Sequence, residues 1–180
     1  MRDDIYTLPE NLPVPEDDGA CDHLVGLDLP DLRLESSQGI VDVRDFDVLY
    51  VYPRAGRPDR EMPAGWNEIP GARGCTPQSI AFQDAYARFR ELDAEVAGLS
   101  AQTVEEQREF AGRNGIEYPV IADPERRLGR ALRLPTFEFG AMTLYKRITL
   151  VVEACAVAKA FYPVFPPDRN AEEVLAWLDS

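Results

Sequence analysis

Histidine is almost missing: His23 is the only one in 180 residues. That lack removes the usual neutral-pH proton carrier. It argues against a histidine-rich metal site, a Ser-His-Asp triad and a Cys-His pair. His23 itself reads as a loop residue rather than a base. Cysteine is scarce as well. Cys21, Cys75 and Cys155 form an odd, widely spaced set, which is not a disulfide framework. Lysine occurs only at Lys146 and Lys159, all other basic residues being arginine, and this reads as a compositional habit. Basic residues are outnumbered 19 to 32 by acidic ones, for a formal net charge of −13. Such a balance argues against nucleic acid and anionic membrane as partners. No apolar run reaches the length of a membrane span, and the opening Met1-Arg2-Asp3-Asp4-Ile5 has no signal-peptide core. The expectation is a reducing, cytoplasmic setting, without metal or cofactor.

What is present is an ordinary soluble globule, 45% hydrophobic and 28% charged, long enough for one domain with a real core. Residues 1–23 are rich in Pro, Asp and Glu and read as an extended arm. Residues 24–180 form the domain. Leu27 to Leu34 alternates apolar and polar residues, a strand pattern. After the turn Ser36-Ser37-Gln38-Gly39, Ile40 to Val43 returns as its hairpin partner. Phe46 to Tyr52 is the best central strand. A helix is expected over 76–93 and a strand over 95–100. A further helix is capped by Thr103 with Glu106 and stops near Asn114-Gly115. Tyr118 to Ala122 is the next strand, and Asp123-Pro124 starts a helix through Leu132. Leu134 to Gly140 reads as an apolar loop. Leu144 to Val152 reads as one strand paired with Val157 to Tyr162. Asp168 to Leu178 reads as a closing amphipathic helix. The order implies an α/β fold: a mixed sheet with helices on both faces and an N-terminal β-hairpin.

One stretch organises the rest. After the strand ending at Pro53 comes a long loop, 54–74, a candidate lid or rim. Gly74-Cys75-Thr76-Pro77-Gln78 then enters a helix, with Pro77 in the first turn, where a missing N–H costs little. Free N–H groups at a helix start favour negative charge, so a cysteine there is a better nucleophile. The competing reading is that Cys75 is a small buried apolar residue. The aromatics Trp66, Phe137, Phe139, Phe161 and Phe165 are either pocket wall or plain core.

Three segments together resemble a peroxiredoxin of the AhpC/TSA family, similar to the peroxiredoxin Q or bacterioferritin-comigratory branch. They are Tyr50-Val51-Tyr52-Pro53, Gly74-Cys75-Thr76-Pro77-Gln78 and Lys146-Arg147-Ile148-Thr149-Leu150. The likeness runs from about Leu24 to the last helix. It implies a thioredoxin-like fold and a thiol peroxidase, with Cys75 as the peroxidatic cysteine and Arg147 beside it. Pro53, Thr76 and Gln78 would line the substrate pocket. A guanidinium and a helix start both favour thiolate and steady the charge on the departing oxygen, leaving a sulfenic acid. Taken alone, Arg147 on a strand reads as a surface ion pair.

The chain departs from the family pattern at three points. Ala72 stands where a Thr or Ser is usual, three positions before the cysteine. Residues 54–74 also carry a large insertion. Ile80 replaces the resolving cysteine that many members of this branch carry five residues on. Cys21 on the arm is the possible internal substitute, and Cys155 the less suited one. The simpler expectation is one-cysteine chemistry. The substrate would be hydrogen peroxide or an organic hydroperoxide. The reductant would be an outside thiol, whether thioredoxin, glutaredoxin or a small thiol. The protein would be a monomer or homodimer. The alternative is a degenerate thioredoxin-fold redox sensor or binding module without peroxidase turnover.

Overall fold

Side chains alternate across a strand, and here that alternation divides the core in two. The computed structural model describes residues 4–180. Strand β3 (Val48–Val51) sends Val48 and Tyr50 to one face of a sheet, Leu49 and Val51 to the other. The sheet has seven strands in the order β2-β1-β5-β4-β3-β8-β9. Strands β3, β4 (Val96–Ser100) and β5 (Val120–Ala122) are parallel. Strands β1 (Arg33–Ser36), β8 (Ile148–Glu153) and β9 (Ala156–Phe161) join antiparallel, so the sheet is mixed. The N-terminal hairpin pairs β1 with β2 (Gly39–Asp42), Ser36 opposite Gly39.

On one face pack α1 (Cys75–Asp84), α2 (Tyr86–Glu91), α3 (Val104–Asn114) and α5 (Asn170–Leu178). The other face carries α4 (Arg127–Leu132) and the segment holding Cys21, Leu24 and Leu29. Helices thus cover both faces, as the element order implies. Helix α3 begins as its cap requires, Thr103 accepting from the Glu106 N–H, and ends at Gly115 with φ 62°.

Five sequence expectations need correction. The alternating stretch from Leu27 does not form one strand. Asp28 pairs singly with Ala156, Pro30 cannot donate, and β1 begins only at Arg33. The helix expected over 76–93 is two, divided at Ala85. The helix expected from Asp123 starts at Arg127, yet Asp123 still serves it, accepting from the Arg127 and Leu128 N–H groups. Residues 134–140 are no loop: β6 (Thr136–Phe139) pairs with β7 (Met142–Tyr145) in a separate two-stranded sheet. The strand expected over 144–152 is therefore two strands of different sheets, with Lys146 and Arg147 in the gap.

Candidate active site

The gap between β7 and β8 is what lets Arg147 turn inward. A residue within a ladder would point squarely to one face. Between two sheets its backbone is released, and the side chain is 4% exposed, not a surface ion pair. Nε donates to the Gly71 carbonyl (3.2 Å) and Nη1 to Oε1 of Gln78 (2.5 Å). Nη2 donates to the carbonyls of Ala72 (3.1 Å) and Arg73 (3.4 Å) and to Sγ of Cys75 (3.2 Å). One planar fork thus satisfies three loop carbonyls and meets the sulfur. Lysine, with one compact ammonium, cannot do this.

Cys75 is the first residue of α1 and 3% exposed. Gly74 before it has φ 109°, in the left-handed region. A Cβ there would run into Pro167 and come within 2.8 Å of Leu8 Cδ2. Glycine is needed for conformation and for space. The Cys75 thiol also points at the Ala72 carbonyl, 3.7 Å away. Beneath α1, Tyr50 donates to Ser79 Oγ (2.9 Å) and Tyr118 to the Ser79 carbonyl (2.7 Å). Burial holds both phenols well above their ordinary range, so they act as neutral donors.

Gln78 carries the network further. Its Nε2 donates to Oδ1 of Asn170 (3.1 Å), which also accepts from the Thr149 hydroxyl (2.6 Å). Asn170 is fully buried at the start of α5. The amide orientations are forced: Arg147 only donates, so Gln78 must turn its oxygen to it and its nitrogen to Asn170. Sequence reasoning missed Asn170 and Thr149. An asparagine opening a helix resembles any cap, and nothing local marks it as a partner of a residue on α1.

The positions expected in the pocket divide. Thr76 is buried in the first turn of α1, and Gln78 orients Arg147. Pro53 and Arg147 line a cavity of about 530 Å³, together with Val14, Pro15, Phe137 and Tyr162 among others. Trp66, Phe137 and Phe139 gather with Ala72 and Leu144 in a small cluster, and Phe161 packs with the Cys75-side core. Of the five aromatics only Phe137 lines the cavity. Cys21 is not brought to Cys75. It belongs to the apolar cluster on the opposite face of the sheet. Burial first, then Asp18, Asp17 and Asp22, pushes its thiol up to about 12. Cys155 is exposed in the β8–β9 turn. The six residues of β8 separate it from Arg147, roughly 20 Å at 3.3 Å per residue. Ile80 sits on α1 itself. Among the described residues, no three His, Cys, Asp or Glu side chains gather as a metal-binding set.

The profile of the AhpC/TSA family matches residues 69–159, the segment from the end of the 54–74 loop through Cys75 and Arg147 to β9. The chain belongs to the AhpC/TSA family. It is 32% identical over 134 residues to the chloroplastic peroxiredoxin Q of Sedum lineare, covering 74% of this chain and 63% of that one. Identity to the chloroplastic peroxiredoxin Q of Gentiana triflora is also 32%, covering 74% of this chain and 54% of that one. The chain therefore spans less than two thirds of these relatives. Its fold is shared with the crystal structure of peroxidoxin BcpB from Mycobacterium tuberculosis (TM-score 0.69, 23% identity, 87% of this chain and 96% of that one). A peroxiredoxin Q structure from Xanthomonas campestris gives TM-score 0.68 and 24% identity, over 86% and 96% of the two chains. The thioredoxin-like architecture expected from the resemblance is the one this AhpC/TSA chain adopts.

Proposed function

We propose that this protein is a thiol-dependent peroxidase in which Cys75 reduces a hydroperoxide and Arg147 assists. The observation that carries the reading is the guanidinium nitrogen 3.2 Å from Sγ, at the first residue of a helix. The thiolate attacks one peroxide oxygen, the S–O bond forms and the O–O bond breaks. Cys75 becomes a sulfenic acid, and the departing oxygen leaves as water or an alcohol after taking a proton. Arg147 and the helix start hold the negative charge as it passes from sulfur to oxygen. Ala72 brings no hydroxyl to this step, but its carbonyl helps hold Arg147 in place.

The recycling step on this reading uses no internal disulfide. Ile80 has no thiol, Cys21 lies across the sheet, and Cys155 lies at its far end. Disulfide formation needs Cα atoms within about 7 Å. An outside thiol is then required, and a cytoplasmic location suits that need. Treating the chain with one equivalent of hydrogen peroxide and mapping the three cysteines by mass spectrometry tests the proposal. Oxidation at Cys75 alone supports it; Cys75 remaining a thiol while the others react defeats it. The missing hydroxyl at Ala72 favours a second reading, a redox sensor. That reading predicts oxidation of Cys75 that no thiol reverses.

A further inference from the structure

Residues 4–23 cross the approach to Cys75 and are tied down along their length. Near its start, the carbonyls of Asp4 (2.6 Å) and Thr7 (3.3 Å) accept from Nη2 of Arg73, two residues before Cys75. Leu8 lies over Gly74, and Pro15 lies within van der Waals reach of Gly71. Farther along, Asp18 accepts from Lys146 Nζ (3.2 Å) and from the Tyr162 hydroxyl (2.8 Å). The loop that Arg147 clasps from inside is therefore roofed from outside by this arm.

What the arm leaves open is the cavity of about 530 Å³, with Val14, Pro15, Glu16 and Asp18 on its arm side and Lys146 and Arg147 among its walls. Cys75 does not line it but lies one residue deeper, its Sγ 3.2 Å from Nη2 of Arg147. That volume lies within the roughly 300–1,000 Å³ of ordinary small-molecule sites and far exceeds what hydrogen peroxide fills. A cysteine on another folded protein projects only a short way beyond that protein's surface. To touch a sulfur that is 3% exposed behind Gly71 and Arg147, it would have to displace the arm first.

We propose that the sulfenic acid of Cys75 is reduced by a low-molecular-weight thiol entering this cavity, and that the arm holds protein thiols out. The proposal rests on the peroxidase reading above. In the first step the small thiolate attacks Sγ, an S–S bond forms, and the sulfenic oxygen leaves as hydroxide, becoming water with one proton. A second molecule of the same thiol then attacks the small-molecule sulfur of the mixed disulfide. It releases the Cys75 thiolate and a small-molecule disulfide. Two thiols are oxidised for each peroxide reduced.

The test uses the full chain. Cys75 is oxidised with one equivalent of hydrogen peroxide, then offered glutathione or reduced thioredoxin at equal thiol concentration, with intact mass read over time. The expected result is a transient glutathione adduct on Cys75 that returns to thiol, and reduction by thioredoxin at least about tenfold slower. Leu8→Ala, which loosens the arm over Gly74, should speed the thioredoxin reaction more than the glutathione reaction. Tyr162→Phe, which cuts only the tie to Asp18, should shift the ratio the same way. Thioredoxin matching glutathione on the unaltered chain, or a ratio that neither variant moves, overturns the proposal and leaves the peroxidase reading standing. No sulfenic acid at Cys75 overturns both.

Discussion

The two faces of the sheet each bury a cysteine to nearly the same depth, Cys75 at 3% and Cys21 at 7% exposure. Their surroundings are opposite. Cys75 faces a guanidinium, a helix start and a network through Gln78, Asn170 and Thr149. Cys21 packs among Leu24, Leu29 and Leu32, with the nearby charges of Asp17, Asp18 and Asp22. Burial alone does not decide what a thiol does. Hydrocarbon and carboxylates hold the proton on Cys21, whereas Cys75 has a guanidinium N–H aimed at its sulfur.

The sharpest way to break this comparison is to exchange each sulfur for oxygen. Cys75→Ser should abolish peroxide consumption and Cys21→Ser should leave it intact, measured by loss of hydrogen peroxide under single turnover. A Cys75→Ser chain that still consumes peroxide would end the argument. Next in size is the cation. Arg147→Met should slow Cys75 oxidation by one to two powers of ten, since a charge-assisted hydrogen bond is worth roughly 1.5–3 kcal/mol. Arg147→Lys should recover little of it, because an ammonium cannot hold three carbonyls and the sulfur at once.

Asn170→Leu should have a smaller effect on rate and a clear one on stability. It strands the Gln78 amide and the Thr149 hydroxyl, at about 1–3 kcal/mol for each buried group left unpaired, read by denaturant unfolding. Its rate loss should vanish in an Arg147→Met background, because Asn170 acts only through Gln78 and Arg147; additive losses would show an independent role.

The smallest effect concerns Cys21. Its thiol is raised to about 12 from 9.0. The folded state binds this proton more tightly, so the contribution is complete below pH 9 and disappears as pH rises through about 12. Iodoacetamide at pH 8 should therefore label exposed Cys155 and spare Cys21 until the chain unfolds. Rapid native labelling of Cys21 would erase the contrast between the two faces.

Much of this is legible in the sequence. Glycine, cysteine, threonine and proline in a row mark a helix start, and they mark one here. Ser36 to Gly39 is a turn, and Thr103 is a cap, because both depend on neighbours in sequence. Errors arose where a pattern was right but its context was not. Thr136-Phe137-Glu138-Phe139 alternates like a strand and is one, paired in a sheet too small to expect. Residues 144–152 look continuous because β propensity continues across Lys146 and Arg147, and only the pairing partners change there.

By itself, then, the sequence determined the α/β class, the helix that opens on Cys75, and the lack of a second thiol on that helix, since each follows from local spacing and residue type. Arg147 beside Cys75 could be expected only through the family resemblance. Tertiary structure decided that it turns inward from the gap between β7 and β8, that Asn170 stands behind Gln78, that Cys21 lies on the wrong face, and that residues 4–23 cover the approach. All four depend on which distant segments share a face, and chain order carries no record of that.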